Sequence, residues 1–176
     1  MKLVEALKEL KLIEKKIAKN TEQINQYASK LSTEKPQFDT DKEQSAKVQS
    51  LIQSNKDLAK FYVEVNNMIA YTNLTTSIDF EGETYRVADL LIYVRKMHDP
   101  MVKTIEALNE TSARFRLKQY SSGIQTGGEK IYVEKFYKEE FKNSEMQRLE
   151  KLDRSRVIAR LETLNAVTEL KDLPTL

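Results

Sequence analysis

Chemistry needs particular side chains, and this sequence is sparing with them. It contains one histidine, His98, and no cysteine. Composition therefore excludes disulfides, thiolate nucleophiles and thiolate metal sites. A metal centre built on His98 would need carboxylates at ligand spacing around it, and no stretch of the chain supplies that pattern. A lone histidine of this kind reads as structural or surface-exposed. Serine catalysis would have to recruit the same imidazole and a nucleophile on a strained turn, yet no G-x-S-x-G occurs. Gly127-Gly128 lacks the Gly-Lys-Ser/Thr run that cradles phosphate, so it reads as a hairpin tip. Glu139 and Glu140 are adjacent, and adjacent residues on a helix or strand point in different directions, which makes them charged surface and not an acid pair. The residue inventory argues against an enzyme: no catalytic, cofactor-binding or metal-ligating residue is assigned.

Twenty-nine basic residues stand against 27 acidic ones, a net charge of +2 that is too balanced to draw in a polyanion, so nucleic-acid binding gains no support. Only four glycines and three prolines accompany a charged fraction of 32%, the profile of long solvent-facing helices. Charges interrupt the apolar residues of the first segment, and no continuous hydrophobic run of a signal peptide is present. The longest apolar cluster, 87–94, contains Asp89, and it is far shorter than the roughly 20 residues a bilayer requires. These features predict a protein of the cytoplasm, or of a virion if phage-encoded, with no transmembrane segment.

Two heptad series dominate the first half. Leu3, Leu10, Ile17, Ile24 and Leu31 recur every seventh position, with Ala6, Ile13, Asn20 and Tyr27 three residues after the first four. A second series runs through Val48, Leu51, Asn55, Leu58, Tyr62, Val65, Ile69 and Thr72. Between them, Pro36 disfavours helix at the residue before it, and Thr40 to Glu43 has capping-box spacing. The spacing predicts helices over 2–31 and 41–72, paired as an antiparallel coiled-coil hairpin. Asn20 and Asn55 interrupt the two seams at similar distances from the connection, so they are expected to face one another in a hydrogen-bonded layer.

Asn73 is suited to the left-handed conformation that ends a helix. A β-hairpin is expected over 77–86, turning at Glu81-Gly82, and a third helix over 87–111, kinked at Pro100. From Ala113 onward Phe115 and Leu117 alternate with Arg114, Arg116 and Lys118, which predicts a second hairpin over 113–137. Its basic face, completed by Lys130, offers a surface to an acidic partner or stands as a solvated strand face. Ser144 and Gln147 have capping-box spacing for a last helix over 144–166. Finally, Asn73 with Thr76 and Asn165 with Thr168 share one spacing, either because both are helix exits with the same capping chemistry or because two helical hairpins repeat. The whole predicts a single, mainly α domain over 1–176: a long helical hairpin bundled with two further helices, plus one or two small β-hairpins.

The opening Met1-Lys2-Leu3-Val4-Glu5-Ala6-Leu7, the stretch from Ile69 to Thr76, the Gly82 hairpin and the ending from Arg160 to Leu170 resemble the septicolysin-like family. The resemblance implies a small, mainly helical protein of bacteria or their phages, and it carries over no catalytic residues. The sequence departs from the family pattern at Ala70 and Ala166. Together these readings predict a non-catalytic structural or assembly protein that acts through protein partners in a homo-oligomer or larger complex, such as a phage particle. The alternative implied by the family name is a membrane-active, cytolysin-like protein.

Overall fold

The computed structural model describes residues 1–121 and 131–174, and it is mainly helical with one two-stranded antiparallel sheet. The chain divides into two compact units. One comprises Met1–Ile78, Arg86–Ala88 and Leu161–Leu176, and the other Asp79–Tyr85 and Asp89–Arg160.

In the first unit, α1 (Leu3–Tyr27) and α2 (Asp41–Thr75) run antiparallel. The first heptad seam is buried at Leu3, Ala6, Leu10 and Ile13, and the second at Leu51, Val65, Ile69 and Thr72. Leu3, Ala6, Leu10, Val65 and Ile69 form one apolar cluster, with Tyr62 and Leu170 packed on it. Burial thins away from this end: Ile17, Asn20, Ile24 and Tyr27 are only half-buried.

The expected helix over 2–31 stops earlier, at Tyr27, and Leu31 is 66% exposed. Buried Gln44 explains the stop. Its amide nitrogen donates to the carbonyl of Tyr27 (2.8 Å) while its amide oxygen accepts from the backbone of Gln37 (2.9 Å). One side chain thus ends α1 and holds the connection that follows, and Phe38 adds an edge-on contact with Tyr27. Thr40 caps α2 as its spacing suggests, its hydroxyl accepting from the N–H of Glu43 (3.2 Å).

Helix α2 runs to Thr75, beyond the expected end at 72, so Asn73 lies inside it and does not take a left-handed conformation. Within it the hydroxyls of Thr72 and Thr75 donate to the carbonyls of Met68 and Tyr71, one turn back. The chain leaves through Thr76 in extended geometry, and β1 (Ser77–Phe80) pairs with β2 (Glu83–Arg86). Glu81 and Gly82 both have positive φ, 52° and 86°, the geometry of a two-residue hairpin turn. A Cβ at Gly82 would meet nothing within 4 Å, so backbone conformation alone asks for glycine there.

Three expected elements differ in the rest of the chain. The single kinked helix over 87–111 is α3 (Val87–Ile92), a π turn (Tyr93–Met97) and α4 (His98–Glu106). Proline at 100 cannot donate to the carbonyl one turn back and its ring crowds it; the wider π turn just upstream takes up that misfit. The hairpin over 113–137 is not formed: Thr111–Ser121 is a helix, α5, and residues 131–137 carry no strand. Alternation misleads here because Ala113 and Leu117, the half-buried pair, are one helical turn apart, while Phe115 is 63% exposed. The hairpin tip at Gly127-Gly128 and Lys130 lie outside the described residues.

The last helix, expected over 144–166, is two: α6 (Glu139–Lys151) and α7 (Arg154–Val167). Asp153 breaks them by accepting from both the backbone (2.8 Å) and the hydroxyl of Ser155, an N-cap that starts α7 afresh. Ser144 therefore sits inside α6, where its hydroxyl donates to the carbonyl of Phe141.

Candidate functional site

Five polar arrangements and one class of surface are candidates for function. The first is the layer inside the helix pair. Asn20 donates to the amide oxygen of Asn55 at 2.9 Å, and Asn55 in turn donates toward Thr21 at 3.4 Å. The two seams are thus joined where the heptads placed asparagine. Tyr62 donates to Glu14 (3.0 Å) farther along, and that carboxylate holds the phenol's pKa above its ordinary value. The layer is half-buried and self-satisfied, so its role is register and not ligand capture.

At the opposite end of the pair, the two helix exits singled out by the sequence meet. Leu3 donates to the carbonyl of Thr168 and Leu170 to that of Met1, forming an antiparallel bridge between Lys2 and Glu169. Lys171 then reaches α2: its backbone N–H donates to the Thr72 hydroxyl (3.0 Å) and its ammonium to the carbonyl and hydroxyl of Thr75. Thr168 bonds the carbonyl of Leu164, as Thr72 bonds that of Met68. Thr72 and Thr168 are therefore the chemical counterparts. Thr76, which the asparagine spacing would pair with Thr168, buries a hydroxyl that has no partner among the described residues. Asn73 and Asn165 are half-buried within α2 and α7.

In the second unit the histidine is a latch. His98 opens α4 with a side chain only 11% exposed; its Nε2 lies 3.0 Å from the carbonyl of Leu149 in the last turn of α6, and Nδ1 lies 3.1 Å from Asp99. Both partners accept hydrogen bonds, so both ring nitrogens are satisfied at once only in the protonated imidazolium. Burial alone would depress the pKa, but the bonds to Asp99 and Leu149 and the nearby Asp153 together hold it above its ordinary value. A cation against the C-terminal carbonyls of a helix is also favoured by the helix dipole. Such an imidazolium has no lone pair to offer a substrate.

A shallow groove of about 210 Å³ lies between the hairpin residues Glu81, Glu83 and Tyr85 and the α6 residues Ser144, Gln147, Arg148 and Lys151. Burial, together with the bond it donates to Glu83 (2.6 Å), pushes the Tyr85 phenol up to about 12. Its acidic and basic rims face each other, and Ser144 is tied into its own helix, so the groove presents no activated nucleophile. Among the described residues no group of three or more His, Asp or Glu side chains gathers as a metal site, and no helix is long and apolar enough to cross a membrane.

The basic residues expected on one strand face are divided by α5. Arg114 and Lys118 lie one turn apart, whereas Arg116 projects from the other side. Arg114 also pairs with Glu110 at 2.5 Å, and Lys135 bridges Glu110 (2.6 Å) and Glu139 (2.7 Å). The hydrogen bonds from Lys135 and then Arg114 hold the Glu110 carboxyl below its ordinary range, so part of the cationic surface is already neutralised.

Among the side chains left in water are several large apolar ones. Phe136 is 96% exposed, and Tyr120, Tyr132, Ile131, Phe115 and Phe141 are all more than half exposed, as is Val63 on α2. In the sequence, only the number of large hydrophobics relative to the available core could have flagged this surface. No protein-family model, no curated protein and no solved structure matches the chain.

Proposed function

We propose that the protein is a non-catalytic assembly component that works by protein–protein contact in an oligomeric complex, with the α1–α2 pair as the coiled-coil spine of a helical bundle. The observation that carries this reading is the quantity of large apolar side chains left in solvent on helices, from Val63 on α2 to Phe115 on α5 and Phe141 on α6. Such surface is costly to leave exposed in a monomer and is the usual currency of association. The polar features support the same reading, because each is spent inside the fold: the asparagine layer on register, Lys171 on the helix exits and His98 on a helix end.

A phage-like particle as the setting, and membership of the septicolysin-like family, rest on the sequence resemblance alone. Light scattering on the full chain tests the central claim. A mass above that of one copy, rising with concentration, is expected; a monomer at every concentration would sink it. Dye release from lipid vesicles would instead favour the membrane-active alternative, and none is expected.

A further inference from the structure

We propose that the outer face of α2 is a two-fold interface to a second copy of this chain. The inference rests on the assembly reading above and names its partner. Ile52, Ala59, Val63 and Ala70 are all exposed, Ile52 by 40% and Val63 by 57%. Their positions place them on one stripe of the helix, about a third of a turn round from the row of Leu51, Leu58 and Val65 that faces α1. A second helix can therefore lie along this stripe while α1 keeps its place.

The stripe is its own complement. Read from either end, the intervals are seven, four and seven residues, and large side chains alternate with small ones. In an antiparallel pair of α2 helices centred midway between Ala59 and Val63, Ile52 meets Ala70 of the partner subunit and Ala59 meets Val63 of the partner subunit. Each bulky side chain lies against an alanine, the condition for helices to approach closely and interdigitate. Lys56 lies within the stripe, and the two-fold sets it against Asn66 of the partner subunit, not against its own copy. The contact extends about 27 Å along the helix at 1.5 Å per residue.

Because the chain has no cysteine, single cysteines report the geometry. Lys56→Cys and Asn66→Cys proteins, mixed under mild oxidation, should form a disulfide dimer that neither forms alone, since each position lies about 15 Å along the axis from its own copy. Independently, Val63→Glu should raise the dimer Kd by about a hundredfold in sedimentation experiments, because the carboxylate would be buried without a partner. Thermal melting of that variant followed by circular dichroism should match the parent at concentrations where both are monomeric. Absence of the mixture-specific disulfide, or an oligomer untouched by Val63→Glu, overturns the two-fold while leaving the assembly reading standing. A parent chain that is monomeric up to about 200 µM overturns both.

Discussion

The α1–α2 pair and the chain between Asp89 and Arg160 solve the same problem by different means. In the pair, apolar residues repeat every seven positions, so each heptad adds the same kind of contact, with one asparagine interrupting each row. The later segments are short, and their ends are held by individual side chains that bond the backbone: His98 the carbonyl of Leu149, Lys142 that of Leu108 at 2.7 Å, and Asp153 the N–H of Ser155 at the start of α7. The difference teaches where each region is vulnerable. A periodic seam loses stability through packing, whereas a set of latches loses it through protonation and single hydrogen bonds.

The largest expected effect breaks the seam. Ile13→Ala, at a side chain with no exposed surface, should cost about 3 kcal/mol in urea unfolding through lost transfer energy and the cavity left behind. Next comes the interruption. Asn20→Leu leaves the Asn55 oxygen without its donor and should cost about 1–2 kcal/mol, while the Asn20→Leu, Asn55→Leu double variant should cost less than the two single changes summed. Additive costs would mean that the layer contributes nothing as a pair.

The latch predicts a pH effect that the seam lacks. His98 has a raised pKa in the folded chain, so its stabilisation is fully present below the ordinary value of 6.5 and is lost as pH rises through the raised one. His98→Gln should remove about 1 kcal/mol at pH 5.5 and far less at pH 8.5, in the range known for a cation at a helix C-terminus. Amide exchange should place the loss in α4 and α6, with α1 and α2 unchanged; an effect of equal size at both pH values would contradict the imidazolium. Smallest, and of opposite sign, Thr76→Val should stabilise the chain by a few tenths of a kcal/mol, since it replaces a buried hydroxyl lacking a partner among the described residues with a methyl of similar shape.

How much of this was legible in the residues follows the same division. The heptads placed α1, α2 and the facing asparagines because burial there is periodic, and Glu81-Gly82 placed the hairpin because its turn demands positive φ. Gln44 was missed, although it sits one heptad before Leu51; the clue was its position, obscured by its polarity. Alternation in Arg114 to Lys118 was misread as strand because helix formers such as Ala113, Leu117 and Gln119 were given less weight than the two-residue period. The break at Asp153 is written only as the polar run Asp153-Arg154-Ser155-Arg156 within the last apolar stripe, and the π turn left no mark beyond Pro100. The Asn20–Asn55 layer was recoverable from spacing, whereas the His98 latch required knowing which carbonyl, fifty-one positions away, would be left over at the end of α6.

The contacts that tie the segment 168–171 to Leu3 and to Thr72 also bear on how the chain acquires its form. During synthesis the two long helices can zip together as soon as both have emerged, but their open end stays unsealed until the segment around 168–171 has been made. Closing so long an intervening loop is slow and entropically costly, so the last step of maturation should be the docking of that segment, and a nascent chain halted before it should expose the ends of a finished spine to proteases.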